Sequence, residues 1–382
     1  ANVAGYLASA TYSISQEVRA DEVRAYAEPI GDGAVREIDR FDGSTGRSSV
    51  LWGGMANLSM LLGTSSRISL NNTYSRSADN EARREFGSID LKGGDFRIDR
   101  LRYVERSIRS SQLAGEHELS PRHRLAWSAT SSGVTRDEPD RSDIVYSIPF
   151  DGDRTPVWFA GDPEGAIRLF GELAEKSWEG GLDYRLTLGS SERARILKVG
   201  ALGRSTDRTA DNRSFSITSN SLTADERAMA PERLFDGRYT QSGESIFTLT
   251  PYNAGGSYSA EDRLAAGYAM AELSLTDRIQ VVGGARVEHS SVVVDAVSTI
   301  GEDVRSDRTY TDVLPSLALN LRLTPLQNLR FSASQTLSRP EYRELAGIQF
   351  RDVIGGEVVQ GNPLLERALI RDADVPYQGN PN

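Results

Sequence analysis

The chain has 382 residues, with 54 acidic and 44 basic side chains, a net charge of −10 and no cysteine. Without cysteine there can be no thiol catalysis, Cys-ligated zinc, iron–sulfur cluster or disulfide, and the negative balance argues against nucleic acid as a partner. Three histidines (His117, His123 and His289) leave little for an imidazole metal site.

The length suits two soluble domains or one large β-barrel. No stretch approaches the roughly 18 apolar residues of a membrane helix. A mean hydropathy of −0.42 does not argue for a soluble protein, because barrel strands alternate lipid-facing and lumen-facing residues and average out as polar. The chain opens on Ala1 with no signal peptide, which is read as a processed form or a fragment.

Taken in order, a first strand shows Tyr6, Ala8, Ala10, Tyr12 and Ile14 at period two. Five hairpins follow. Ala56, Leu58, Met60 and Leu62 turn through Gly63-Thr64-Ser65 into Ile68 and Leu70. Leu113 to Leu119 turn at Ser120-Pro121 into Leu125, Trp127 and Ala129. Tyr184, Leu186 and Leu188 turn through 189–193 into Leu197, Val199 and Ala201. Ala269, Ala271, Leu273 and Leu275 turn at Thr276-Asp277 into Ile279, Val281, Gly283, Ala285 and Val287. Leu317, Leu319, Leu321 and Leu323 turn at Pro325 into Leu329, Phe331, Ala333, Gln335 and Leu337. Alternation of this kind excludes a helix, and proline suits a turn but not a central strand.

About eleven strands are therefore expected, joined alternately by short turns and by long polar segments at 15–49, 79–96, 136–165, 204–257, 290–309 and 339–365. That alternation predicts an antiparallel transmembrane β-barrel with long extracellular loops. Tyr6, Tyr12, Trp52, Trp127 and Tyr184 are candidates for interfacial aromatic girdles. Arg102, Arg106, Arg109, Arg185, Arg286, Arg322 and Arg330 lie within strands and are expected to face the lumen. Two loops carry helical signals: Asp162-Pro163-Glu164, followed by Ile167, Phe170, Leu173 and Ala174 and closed by Gly180-Gly181, and residues 223–235 from Thr223 and Glu226.

Chemistry-bearing motifs are sparse. Asp137, Glu138, Asp140, Asp143, Asp151 and Asp153 crowd one segment without EF-hand spacing, so a solvated acidic loop is expected rather than a calcium site. His117 and His123 read as polar turn residues. With no nucleophile elbow, P-loop or dinucleotide fingerprint, no catalytic residue, metal site or cofactor is assigned.

The stretch Ser334 to Leu345, with Arg339, Pro340 and Tyr342, resembles the R-P-x-Y barrel motif of TonB-dependent outer-membrane receptors. It is followed by a G-N-P-x-L match at Gly361, Asn362 and Pro363. Upstream, Gly284-Ala285-Arg286-Val287-Glu288 is similar to the family's G-x-R-x-E strand, and Asp312-Val313-Leu314-Pro315-Ser316 to its D-x-L-P-S entry. The resemblance implies about half of a large plugged barrel of about 22 strands. It covers residues 1–375, with an irregular tail at 376–382 that begins where Pro376 breaks the pattern. Neither plug nor TonB box is found, so an internal barrel fragment is expected.

The function implied is ligand-gated active uptake of a scarce nutrient (siderophore, vitamin, carbohydrate or metal complex) across the bacterial outer membrane. The partners implied are TonB through the plug, a small-molecule ligand and outer-membrane lipid. No enzyme activity is expected. The six residues Arg339, Pro340, Tyr342, Gly361, Asn362 and Pro363 are expected to terminate a strand and shape a loop, with Gly361 at positive φ. A passive porin, or a β-rich surface adhesion protein or hydrolase, is the alternative.

Overall fold

The computed structural model describes residues 3–31, 33–152, 154–189, 195–239, 246–252, 256–298, 301–351, 354 and 358–379. Its long strands run in chain order: β1 (Val3–Gly31), β2 (Ala34–Leu62), β3 (Ser66–Ile89), β4 (Gly94–Ser120) and β5 (His123–Ile148). After a short β6 (Val157–Trp158) come β7 (Ala166–Leu188) and β8 (Arg195–Thr218), then helices α1 (Ala224–Arg227) and α2 (Pro231–Leu234) and a short β9 (Thr248–Pro251). The second half comprises β10 (Gly256–Thr276), β11 (Ile279–Ser298), β12 (Asp303–Thr324) and β13 (Gln327–Ser338). Then follow α3 (Tyr342–Leu345), β14 (Gln349–Arg351), β15 (Val358–Gln360), β16 (Ala368–Asp374) and β17 (Tyr377–Gly379).

One antiparallel sheet runs β1-β2-β3-β4-β5-β7-β8-β10-β11-β12-β13-β16, each long strand beside its sequence neighbour. All eleven expected strands are present. Among the described residues β1 and β16 do not pair with each other, so the sheet has two open edges. Pro376 does not end the sheet: its carbonyl accepts from the Arg330 N–H at 3.0 Å, and Tyr377 and Gln378 continue along Leu329 and Asn328 of β13.

Alternation divides the sheet into two faces. Tyr6, Leu58, Leu70, Leu113, Ala129, Gly180, Gly203 and Ala265 form one continuous cross-strand row on the apolar, outer face. Leu58 lies four residues before the end of β2, whereas Ala265 lies eleven before the end of β10. The row thus climbs along the strands, as it must when barrel strands tilt. The five girdle candidates all lie on this face. Tyr6 and Tyr12 on β1, and Tyr184 and Trp178 on β7, are each six residues apart, roughly 20 Å along a strand, which matches an apolar band bounded by two aromatic belts. Trp52 packs on Tyr74 with ring centroids 5.1 Å apart.

The strands run well past that band. β1 and β2 have 29 residues each, roughly 95 Å of chain against a hydrocarbon core of about 30 Å. Much of the length expected as loop is therefore strand: 15–49 and 79–96 fall largely in the upper parts of hairpins, the first running up β1 to Gly31 and back down β2 from Ala34, the second turning at 90–93. The 162–180 helix is likewise replaced by β7, and Gly180-Gly181 sit in mid-strand. The signal at 223–235 does yield helices: Thr223 Oγ1 accepts from the Glu226 N–H at 3.3 Å while Glu226 Oε2 accepts from the Thr223 N–H at 2.8 Å, a capping box that starts α1.

The two longest connections fold in opposite directions. Residues 219–239 pack on the outer side of β5, where Leu234 joins Ile144, Tyr146 and Trp158 in a buried cluster. The described residues of 339–367 fold inward: Leu345, Ala346 and Ile348 cover Ala210, Tyr258, Ala260, Val292, Val294 and Ala296 on the inner face.

Candidate functional site on the inner wall

The inner face is polar and tied together by ion pairs between neighbouring strands. Arg47 of β2 holds Glu81 of β3 at 2.5 Å, and Arg106 of β4 holds Asp79 at 2.8 Å. Arg100 and Asp143 pair at 2.5 Å and are both buried. Glu138 accepts from Arg102 at 2.8 Å and also from Arg136. The acidic segment expected to be solvated is thus paired at three of its carboxylates, while Asp137 and Asp151 are exposed. Glu138 and Asp143 lie within β5, buried against arginines, since a carboxylate removed from water must be paired. Asp140 pairs with Arg168. Asp153 lies outside the described residues.

Of the seven strand arginines, Arg102, Arg106, Arg185, Arg286, Arg322 and Arg330 alternate onto the inner face, but Arg109 does not. It shares the parity of Leu113, lies opposite Tyr74, and crosses Gly133, where an added Cβ would meet its Nε at 2.9 Å. A long amphipathic side chain at the upper aromatic belt can send its guanidinium toward the headgroups.

The four family motifs interlock. Arg339 Nη2 donates to Glu288 Oε2 at 2.7 Å, and Arg286 Nε donates to Glu288 Oε1 at 2.6 Å. The R-P-x-Y turn is thereby fastened to the G-x-R-x-E strand. The Tyr342 hydroxyl donates to Asp262 Oδ2 at 2.9 Å, and Arg208 lies over its ring at 4.7 Å. Burial, followed by the Asp262 charge, raises the Tyr342 phenol above its ordinary pKa, so it stays a donor. Pro363 O accepts from Ser306 Oγ at 3.0 Å and Arg308 Nη2 at 2.6 Å. Arg367 Nε reaches Asp312 Oδ1, the acid of D-x-L-P, at 2.6 Å. Asn362 Oδ1 accepts from the Leu364 N–H at 2.9 Å, closing the G-N-P turn.

Gly361 departs from expectation. Its φ is not positive; Gly347 holds that conformation at +66°. Gly361 is required for closeness instead, because a Cβ there would lie 2.8 Å from Glu344 O and Gly347 N and 2.9 Å from Arg343 O.

Below α3 the inner wall opens as a cavity of about 680 Å³. Its lining includes Ser110, Ser132, Glu175, Glu179, Arg204 and Arg208, with Pro340 and Tyr342 above. Sequence reasoning placed Arg339 and Tyr342 but missed their anchors Glu288 and Asp262, 51 and 80 residues away; only the presence of Glu288 in a motif signalled a role. Among the described residues no group of three or more His, Asp or Glu could hold a metal. His117 lies within β4, three residues before its end, bonded to Ser66 Oγ at 3.1 Å and to Trp127 Nε1 at 3.0 Å.

Similarity to known proteins follows the same lines. Residues 40–369 match the family model of the TonB-dependent receptor-like β-barrel. No curated protein matches the chain. Solved structures similar to it include the ferric-catecholate import receptor Fiu of E. coli K12, at 13% identity over 89% of this chain and 50% of that one, with a TM-score of 0.48. Another is the ferric yersiniabactin uptake receptor FyuA of Yersinia pestis, at 12% identity over 95% and 52%, with a TM-score of 0.46. The chain spans about half the length of these structures. With the match extending over most of its length, the chain belongs to the TonB-dependent receptor family, as part of its transmembrane β-barrel.

Proposed function

We propose that the protein takes part in ligand-gated active uptake of a scarce nutrient across the bacterial outer membrane, energised by TonB through the plug of the complete receptor. Family membership across residues 40–369 is the observation that carries this reading. The face chemistry supports it. An apolar outer belt with aromatic borders suits outer-membrane lipid, while a polar inner wall cross-linked by ion pairs suits a water-containing lumen. Long hairpins standing beyond the belt provide the surface on which a small-molecule ligand is captured, and no covalent step is required of the chain.

The test is growth of a strain whose only route for a limiting nutrient is the complete receptor, across a panel of iron chelates, cobalamin and oligosaccharides. Growth on one nutrient that requires both receptor and TonB is the expected result. Growth that requires the receptor but not TonB would make it a passive pore, and growth on none would remove the transport reading.

A further inference from the structure

The cavity beneath α3 lies at the outer end of the belt: Ser177 and Glu179 of its wall alternate along β7 with Trp178, whose indole is on the outer face in the upper aromatic tier. Each of its three arginines is already paired to a carboxylate, although the Nε of Arg204 and of Arg339 is buried without a partner among the described residues. Arg208 is held by Glu175, with Nε to Oε2 at 2.7 Å. Arg204 is paired to Asp262 at 3.4 Å, and Arg339 to Glu288 at 2.7 Å.

Three lining groups have no hydrogen-bond or ion-pair partner among the described residues: the Glu179 carboxylate and the hydroxyls of Ser110 and Ser132, which face each other in register across β4 and β5. Ser177 and Thr206 share a hydroxyl–hydroxyl contact of 2.9 Å beside them. An anionic ligand entering here would have to share each arginine with the carboxylate that already holds it, at the cost of like-charge repulsion, and a cation would meet three arginines. A hydroxyl group, donor and acceptor at once, is complementary both to the free groups and to Arg–carboxylate pairs that present N–H and oxygen side by side.

We propose that this cavity binds a neutral, polyhydroxylated ligand of the oligosaccharide class, with Glu179, Ser110 and Ser132 as its specificity-determining contacts. The proposal rests on the transport reading above and names the ligand class for it.

The experiment measures binding to the complete receptor in detergent, and accumulation by cells with and without TonB. The probes are a mixture of neutral oligosaccharides from starch, cellulose and xylan, and ferric citrate as the anion. Saccharide binding is expected, about tenfold weaker in Glu179→Gln and in Ser132→Ala. Glu175→Gln, which frees Arg208, should raise affinity for ferric citrate by a similar factor, a gain that mere misfolding would not produce. TonB-dependent accumulation of ferric citrate by the wild type without saccharide binding would overturn the ligand class and leave the transport reading standing. Saccharide entry independent of TonB would uphold the class and overturn active uptake. Binding of neither probe would overturn the class.

Discussion

Glu288 is clamped between two arginines: Arg286, two residues before it on β11, and Arg339, 51 residues after it and one residue past β13. This joins a strand in the wall to the inward-folded strap 339–367, and it gives two motifs that look independent in the sequence a single physical role. Removing Glu288 strands two cations, whereas removing Arg339 leaves Glu288 still paired to Arg286. Glu288→Ala should therefore cost more than Arg339→Ala, about 2–4 against about 1–2 kcal/mol. A double-mutant cycle read by hydrogen exchange in the strap checks this; equal single costs with no coupling would dissolve the clamp.

Close approach, not handedness, fixes Gly361. Gly361→Ala must push apart the backbone of Arg343, Glu344 and Gly347, at a cost of about 1–3 kcal/mol. At Gly347, where φ is +66°, Asn should be tolerated better than Val, because Asn visits the left-handed region more readily. Limited proteolysis within 342–365 reads both. Full resistance in Gly361→Ala would show that the strap does not need the contact.

The period-two apolar runs gave away the strands wherever lipid or a covering loop makes one face apolar, as at Leu317, Leu319, Leu321 and Leu323. They failed above the belt. There charged residues stand on both faces of the hairpins, with pairs such as Arg47–Glu81 and Arg84–Asp99 bridging neighbouring strands, so long stretches of extended chain have the composition of a loop. The false helix at 162–180 has a related cause. Ile167 packs in an inner cluster while Phe170 meets Phe215 on the other face, with centroids 6.2 Å apart, so apolar residues on both faces imitate helical spacing. Motif residues were legible, but their anchors Asp262, Glu288 and Asp312 became so only through strand register.

Asp236, in the turn after α2, is held at about 2 by hydrogen bonds from the Arg238 side chain and backbone. A depressed carboxylate adds stability that is complete above its ordinary value of 3.8 and lost as pH falls through about 2. Amide protection of the segment around Asp236 should fall in that acid window in the wild type and show no such step in Asp236→Asn. A wild-type midpoint near 4 would contradict the pairing.

The central claim is that one face of this sheet meets lipid and the other a watery lumen. These 382 residues contain no cysteine; with any cysteine elsewhere in the complete receptor replaced by serine, single cysteines can be placed at successive positions 317–320 and 177–180 and offered a water-soluble maleimide in intact outer membranes. Strict alternation is predicted, with Ala318, Asn320, Ser177 and Glu179 reactive and Leu317, Leu319, Trp178 and Gly180 protected by lipid. Equal reactivity of both sets would contradict the membrane-barrel account.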